Sequence, residues 1–308
     1  MSHELYKVHR PKTIKEVVGQ KGAVQTLKSM MNRNKIPHSL LFTGPSGCGK
    51  TTLARILAKK VGCGKYDIDE INTADFKGVD MVRNIRKRMT GAPISGSARV
   101  WIIDECHKLT NDAQNAFLKI LEDTPNHVYF MLATTDPQKL IKTIQTRCTQ
   151  IKLAPLSNKD INQLIVSIAE KENKEIPEDV REKMVEYSEG SARKALVFLN
   201  SIIDMEDEDH MIMAIGDSIE EEKAITVARL LFNPKTKWPD MAKVLRGVQS
   251  EDAENMRWMV LGYAKSILIK GGKLSSRAYL VIDSFSETFW NTKHAGLAAA
   301  CYEIITGS

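Results

Sequence analysis

The apolar positions in the first half of the chain fall into short runs that end on small or polar residues. Ser39-Leu40-Leu41-Phe42-Thr43 leads into a glycine-rich turn, and Val100-Trp101-Ile102-Ile103 ends at Asp104-Glu105. Val128-Tyr129-Phe130-Met131-Leu132-Ala133 ends at Thr134-Thr135, and a weaker run, Gln150-Ile151-Lys152-Leu153, follows Cys148. Between them the spacing turns helical, at about 51–61, 79–89 and 112–121. Buried strands alternating with amphipathic helices predict βαβ units and a mainly parallel sheet. Such sheets bind ligands at the C-terminal ends of their strands, and the distinctive polar residues sit there.

After Pro155 the pattern changes. Segments 157–173, 177–187 and 190–203 read as three short helices with no strand between them, followed by an acidic stretch, 204–209, suited to an exposed linker or loop. Residues 211–308 read as further helices, interrupted near Asn233-Pro234, Trp238-Pro239 and Gly271-Gly272. The expected division is 1–154 for an α/β core, 155–211 for a small helical domain and 212–308 for an all-α domain.

The turn after the first run reads GPSGCGKT over residues 44–51, a match to GxxxxGK followed by Ser or Thr. Strand before and helix after are the context in which this motif cradles phosphate. Its backbone N–H groups curl round the anion, and the helix N-terminus adds a positive dipole end. Gly44, Gly47, Cys48, Gly49, Lys50, Thr51 and Thr52 are therefore expected to hold a nucleotide. Lys50 would reach the β and γ phosphates and Thr51 would hold Mg²⁺. Asp104 and Glu105, two carboxylates at a strand tip, fit the same chemistry. Asp104 would orient the metal or its water, and Glu105 would act as general base on an attacking water. His107 has no metal partners in the sequence and reads as a helix-start or coupling residue.

Composition narrows the class. With 43% hydrophobic and 27% charged residues the chain is ordinary globular protein. No apolar run reaches the ~18 residues of a membrane span. The polar start, MSHELYKVHRPK, does not resemble a signal peptide. A cytoplasmic protein with no membrane partner is expected. Five cysteines without a CxxC pair point to reduced, mostly buried thiols. Residues 1–150 carry a net +11 and residues 151–308 a net −5. Either the first half meets a polyanion or this charge is solvated surface. On the helix of 79–89, Val79, Val82, Ile85 and Met89 share one face, and Arg83, Arg86 and Lys87 another.

Several strings together resemble the clamp-loader AAA+ ATPases. They are WIIDECHKLTNDAQNAFLKILEDTP (101–125), HRPKTIKEVVGQ (9–20), FMLATTDPQKL (130–140), Thr146-Arg147-Cys148 and SEGSARKAL (188–196). The resemblance is specific over residues 5–200 and weak beyond 212. It is nearest to the bacterial gamma/tau subunits and extends to the small subunits of replication factor C and of phage loaders. It implies an α/β P-loop AAA+ domain, a helical lid, and an all-α collar that holds a ring together. It also implies ATP and Mg²⁺ as cofactors. Val17 and Val18, with Val8, His9 and Arg10 from the segment beginning at Tyr6, would border the adenine. Thr135 matches the first sensor, watching the γ-phosphate and the water. Arg193 matches the second sensor, reaching the nucleotide in cis. Arg147 matches the arginine finger, acting on ATP held by a neighbouring subunit. Read from the residues alone, Arg147 could be a surface arginine and Arg193 a helix-face salt bridge.

The implied partners are a sliding clamp, primer–template DNA touched through its backbone, and other loader subunits in a ring, a pentamer in the family. Arg83 and Lys119 match basic positions that line the DNA path, Lys77 lies near one, and Arg86 and Lys87 share that face. The chain departs from the bacterial relatives in lacking their four-cysteine zinc module: Gly62-Cys63-Gly64-Lys65 bridges that gap. It has Thr146 where the family usually has Ser, and no long polymerase-binding tail, so polymerase coupling through such a tail is not expected. The main expectation is a DNA- and clamp-stimulated ATPase motor subunit. The alternatives are another AAA+ machine on DNA, such as a branch-migration motor or initiator, and a stator that does not turn over ATP.

Overall fold

In the computed structural model, which describes residues 4–73, 78–250 and 252–307, the four apolar runs become strands of one parallel sheet. They are β1 (Ser39–Thr43), β3 (Ala98–Asp104), β4 (Val128–Thr134) and β5 (Thr149–Lys152), and a fifth strand, β2 (Cys63–Asn72), joins them in the order β2-β3-β4-β1-β5. The helices of this region are α1 (Leu5–Val8), α2 (Lys21–Asn32), α3 (Lys50–Lys60), α4 (Val79–Met89), α5 (Asn111–Glu122) and α6 (Lys142–Arg147). Three more follow: α7 (Asn158–Lys171), α8 (Glu178–Ser188) and α9 (Ala192–Ile202).

The central strands β1, β3 and β4 are buried on both faces, which is why they read as continuous apolar runs. Alternate side chains go to opposite sides. Leu40, Phe42, Val100, Ile102, Met131 and Ala133 meet Leu27 of α2 and Leu53 and Leu57 of α3. Leu41, Trp101, Ile103, Phe130 and Leu132 meet Val82 and Ile85 of α4 and Phe117 and Ile120 of α5. Trp101 stacks on Phe130 at 5.5 Å and Phe117 meets the same ring edge-on at 5.4 Å. The helices start on their own signals: Thr110, Ser157 and Ser191 each accept a hydrogen bond from a backbone N–H of the first turn.

The strand that patterning did not reveal is β2. It is an edge strand reading CGKYDIDEIN, with most side chains half-buried or exposed. Paired on one side only, it needs no apolar run. Its anchor is polar. Asp67 is fully buried and accepts from Ile94 N–H (2.5 Å), Ser95 N–H (2.6 Å) and Ser95 Oγ–H (2.9 Å), with the Arg99 guanidinium at 3.6 Å. Burial would raise the Asp67 pKa, but these donors outweigh it and bring it to about 2.

The chain divides into two compact units, Met1–Asp204 and Met205–Ser308. The division falls within the acidic stretch, earlier than the boundary at 211/212 expected from sequence. The reason is Asp207, which caps α10 (Glu208–Phe232) by accepting from His210 N–H at 2.8 Å, so the long helix begins before residue 212. The second unit continues with α11 (Trp238–Leu245), α12 (Ala253–Lys270), α13 (Ser275–Ser284) and α14 (Lys293–Thr306) around its own core, which includes Val227, Leu231, Met256, Val260, Phe285 and Leu297. Pro239 sits in the first turn of α11, where a missing N–H costs nothing, so it starts a helix rather than interrupting one. A buried ion pair, Glu254 to Arg257 at 2.7 Å, ties α12 to the segment after α13 through Phe285 O and Phe289 N–H. No helix among the described residues is long and apolar enough to cross a membrane.

Asp67→Ala would leave two backbone donors and Arg99 without a buried acceptor. It should lower the stability of the first unit by roughly 3 kcal/mol in urea unfolding. Because the folded pKa is depressed from 3.8 to about 2, this contribution is full above pH 4. It should fade as pH falls towards 2.

Candidate active site

The tips of β1, β3 and β4 come together at one end of the sheet, where a cleft is lined by residues of the first unit. The cleft opens to solvent, and its empty space including that open part is about 1010 Å³. Ser46–Thr52 form its floor, Asp104 and Glu105 one wall, and Tyr6, His9, Arg10, Val17 and Val18 another. Arg193 and Leu196 of α9 close a third side.

The loop from Gly44 to Gly49 needs glycine for two different reasons. Gly44 has φ +149°, and a Cβ there would lie 2.4 Å from the Leu153 carbonyl. Gly47 has φ +75°, and its Cβ would meet Ser191 Oγ at 2.0 Å and Arg193 Cβ at 3.2 Å. The start of α9 therefore rests on the loop itself. Lys50 is buried and donates to the carbonyls of Gly44 and Pro45, both at 2.8 Å. An ammonium has three donors, so one remains for an anion. The Cys48 thiol donates to Pro45 O at 2.9 Å, and burial raises its pKa. Gln20 braces the loop from outside. Its amide donates to Cys48 O at 3.2 Å and Ala154 O at 2.6 Å and accepts from Ala154 N–H at 3.2 Å.

The opposite wall is a chain of hydrogen bonds. Thr51 Oγ1–H donates to Asp104 Oδ2 at 2.9 Å, and Asp104 Oδ1 accepts from Glu105 N–H at 3.0 Å. Thr135 Oγ1–H donates to Glu105 Oε2 at 3.2 Å. Glu105 has a left-handed backbone, φ +53°, held by the buried Thr73 at the end of β2, whose hydroxyl donates to Glu105 O at 2.5 Å and Asp104 O at 3.1 Å. A hydroxyl and a carboxylate 2.9 Å apart, beside a phosphate loop, suit Mg²⁺, which takes few protein ligands and completes its shell with phosphate oxygens and water. Among the described residues no group of three or more His, Cys, Asp or Glu could hold a metal ion.

The structure places the other sequence-predicted residues unevenly. Val8 is half-exposed and does not line the cleft; Tyr6, at the start of the same short helix, does. His9 lines it and pairs with Glu172 of the segment after α7. Arg193 sits over the Tyr6 ring at 5.6 Å. Arg147 ends α6, away from the cleft lining, half-exposed and paired with Glu122 at 2.5 Å. Lys77 lies outside the described residues. Arg83, Arg86, Lys87 and Lys119 are all exposed. Arg83 pairs with Asp80 at 3.1 Å and Arg86 approaches Asp123 at 3.9 Å, while Lys87 and Lys119 have no ion pair among the described residues. The apolar face of α4 is buried as its spacing predicts. The five thiols are free. Burial pushes Cys63 to about 11 and Cys148 and Cys301 to about 12, so none is a ready nucleophile.

Thr73, Gln20 and Gln114 were not singled out from sequence. Gln114 is buried, donates to Leu109 O (3.2 Å) and Lys139 O (3.3 Å), and accepts from Ile141 N–H (2.9 Å), joining α5 to the segment before α6. A lone buried glutamine on an apolar helix face was the signal available for it.

The family model described as DNA polymerase III, delta subunit matches residues 19–77 and 66–157. The chain is 34% identical over 249 residues to DNA polymerase III subunit tau of Bacillus subtilis, covering 74% of this chain and 43% of that protein. It is 30% identical over 276 residues to the tau subunit of Escherichia coli K12, covering 82% of this chain and 42% of that one. It thus spans less than half the length of these relatives. Among solved structures, the Thermotoga maritima RuvB Holliday junction branch migration motor superposes with a TM-score of 0.59 at 21% identity, covering 83% of this chain and 91% of that chain. At that identity the likeness is one of fold.

Alanine at Gly44 meets backbone, whereas at Gly49, φ +104°, nothing lies within 4 Å. Gly44→Ala should therefore destabilise the chain by about 3 kcal/mol and Gly49→Ala by nearer 1 kcal/mol, read from denaturant midpoints.

Proposed function

This chain belongs to the clamp-loader AAA+ ATPase family, and we propose that it is a motor subunit that uses ATP to open a sliding clamp and load it on primer–template DNA. The observation that carries the reading is the bonded series Thr51–Asp104–Glu105–Thr135, which starts beside Lys50 at the end of the phosphate loop. It supplies what phosphoryl transfer to water needs: an anion cradle, a metal corner and a base. Lys50 and the loop N–H groups bind the phosphates. Thr51 and Asp104 hold Mg²⁺, which supplies charge neutralisation when bound. Glu105 takes the proton of the attacking water, and Thr135 reports on its position. Tyr6, His9, Arg10, Val17 and Val18 border the base. Arg193, resting against Gly47, reaches the phosphates from the lid formed by α7, α8 and α9.

Arg147 acts elsewhere, on nucleotide held by the next subunit of a ring. Each reaction centre is then completed by a neighbour, and ATP at the boundary holds the ring in the form that grips the clamp. The second unit acts as the collar, and the setting is cytoplasmic DNA replication. Glu105→Gln should keep ATP bound while turnover falls roughly 10²–10⁴-fold. Arg147→Ala should cut turnover of the assembly by as much as 10³-fold and leave nucleotide affinity of its own cleft unchanged. Single-turnover hydrolysis and equilibrium nucleotide binding, with and without clamp and primed DNA, check both. A stator would show no turnover in the unsubstituted chain, and a different motor would not respond to the clamp.

DNA is proposed to run along the exposed face of α4 and α5, meeting Arg83, Arg86, Lys87 and Lys119 through phosphate. Because Arg83 and Arg86 already have carboxylate neighbours, Lys87 and Lys119 carry the larger share. Lys87→Ala should lower the slope of log K against log salt by about 1, without sequence preference, in a primed-DNA titration.

A further inference from the structure

The catalytic wall contains one more side chain than the hydrolysis scheme uses. His107 follows Glu105 in a 3₁₀ turn (Cys106–Lys108), and its side chain is about nine-tenths buried. Its Nδ1 lies 3.0 Å from Thr134 Oγ1 and 3.4 Å from Glu105 Oε2. Thr134 Oγ1 also accepts from Asp136 N–H at 3.0 Å. Glu105 Oε2 thus faces two polar side chains, Thr135 and His107, whereas Oε1 has no hydrogen-bond partner among the described residues.

A bare imidazole nitrogen at Nδ1 would set its lone pair against a carboxylate oxygen. Nδ1–H instead meets two acceptors, and a hydroxyl with two lone pairs can accept from both Asp136 N–H and the ring. We propose that His107 is a positioning residue for hydrolysis: its Nδ1–H, shared between Thr134 and Glu105, fixes Glu105 Oε2 so that Oε1 is the oxygen presented to the attacking water. This rests on Glu105 being the base. His107 never touches the nucleotide; it acts through Glu105.

The surroundings support a neutral ring. Burial lowers the His107 pKa, Glu105 opposes this, Lys108 and Lys139 add to it, and Asp136 opposes it.

The test uses two isosteres in the full chain, within the assembly it purifies with. In His107→Asn the amide N–H stands where Nδ1–H stood; in His107→Gln it stands where Nε2 was. His107→Gln should lower kcat for Mg·ATP about tenfold or more, with KM and the affinity for a fluorescent ATP analogue unchanged, as expected for a misplaced base. His107→Asn should recover kcat to within about threefold of the unsubstituted chain. Equal kcat for the two variants, a rise in turnover, or a loss that follows nucleotide affinity would overturn the proposal. Glu105→Gln, run alongside, separates the two readings. If it keeps full turnover, the base assignment fails and takes this inference with it. If it is inactive while His107→Gln is normal, the base stands and only the role of His107 falls.

Discussion

The site depends on one hydrogen bond, from Thr51 Oγ1–H to Asp104 Oδ2 at 2.9 Å. It joins the helix after β1 to the tip of β3, although β4 lies between those strands in the sheet. The helices that follow the two strands lie on opposite faces: α3 packs with the Leu40 and Phe42 side, α5 with the Leu41 and Trp101 side. The chain therefore changes face between them, and the crevice that opens at such a reversal is where open α/β sheets bind ligands. With the tips held together, the cradle, the metal corner and the base sit in one cleft.

The charge pattern follows from the same closeness. Lys50 is buried but not bare, since two loop carbonyls accept from it. Asp104 and Glu105 are neighbours in sequence, and like charges side by side in a half-buried site repel. On the proposed reading, a divalent cation at the Thr51–Asp104 corner would relieve that repulsion and the charge of incoming phosphates together. The coordination chemistry and the electrostatics thus ask for the same species at the same place.

How much of this was legible in the sequence depends on the kind of signal each part carries. The central strands were readable because burial on both faces demands apolar residues at every position from Leu40 to Phe42 and from Val100 to Ile103. The phosphate loop was readable because its glycines answer backbone needs that no other residue meets, at Gly44 and Gly47 above all. The edge strand β2 was not, since its anchor is the acceptor set of Asp67, contacts made by residues nearly thirty positions away. Val8 was misplaced for a related reason: α1 is one turn long, and a rotation of that turn decides which of Tyr6 and Val8 meets the cleft. Thr73, Gln20 and Gln114 escaped notice because a hydroxyl or amide carries no sign of its partner until the fold supplies one.

The placement of Arg147 bears on how such a site could be completed by a neighbour. The arginine stands outside the cleft of its own chain, at the C-terminal end of α6, in an ion pair with Glu122. The two side chains are 39% and 46% exposed, and exposed pairs of this kind contribute only about 0–1 kcal/mol. The contact therefore orients the guanidinium without holding it, and exchange for a more highly charged anion on another subunit would cost little. Glu122 lies one helical turn from Lys119 on α5. On the proposed reading, the last turn of α5 thus carries both a residue proposed to meet DNA, Lys119, and the ion-pair partner of Arg147.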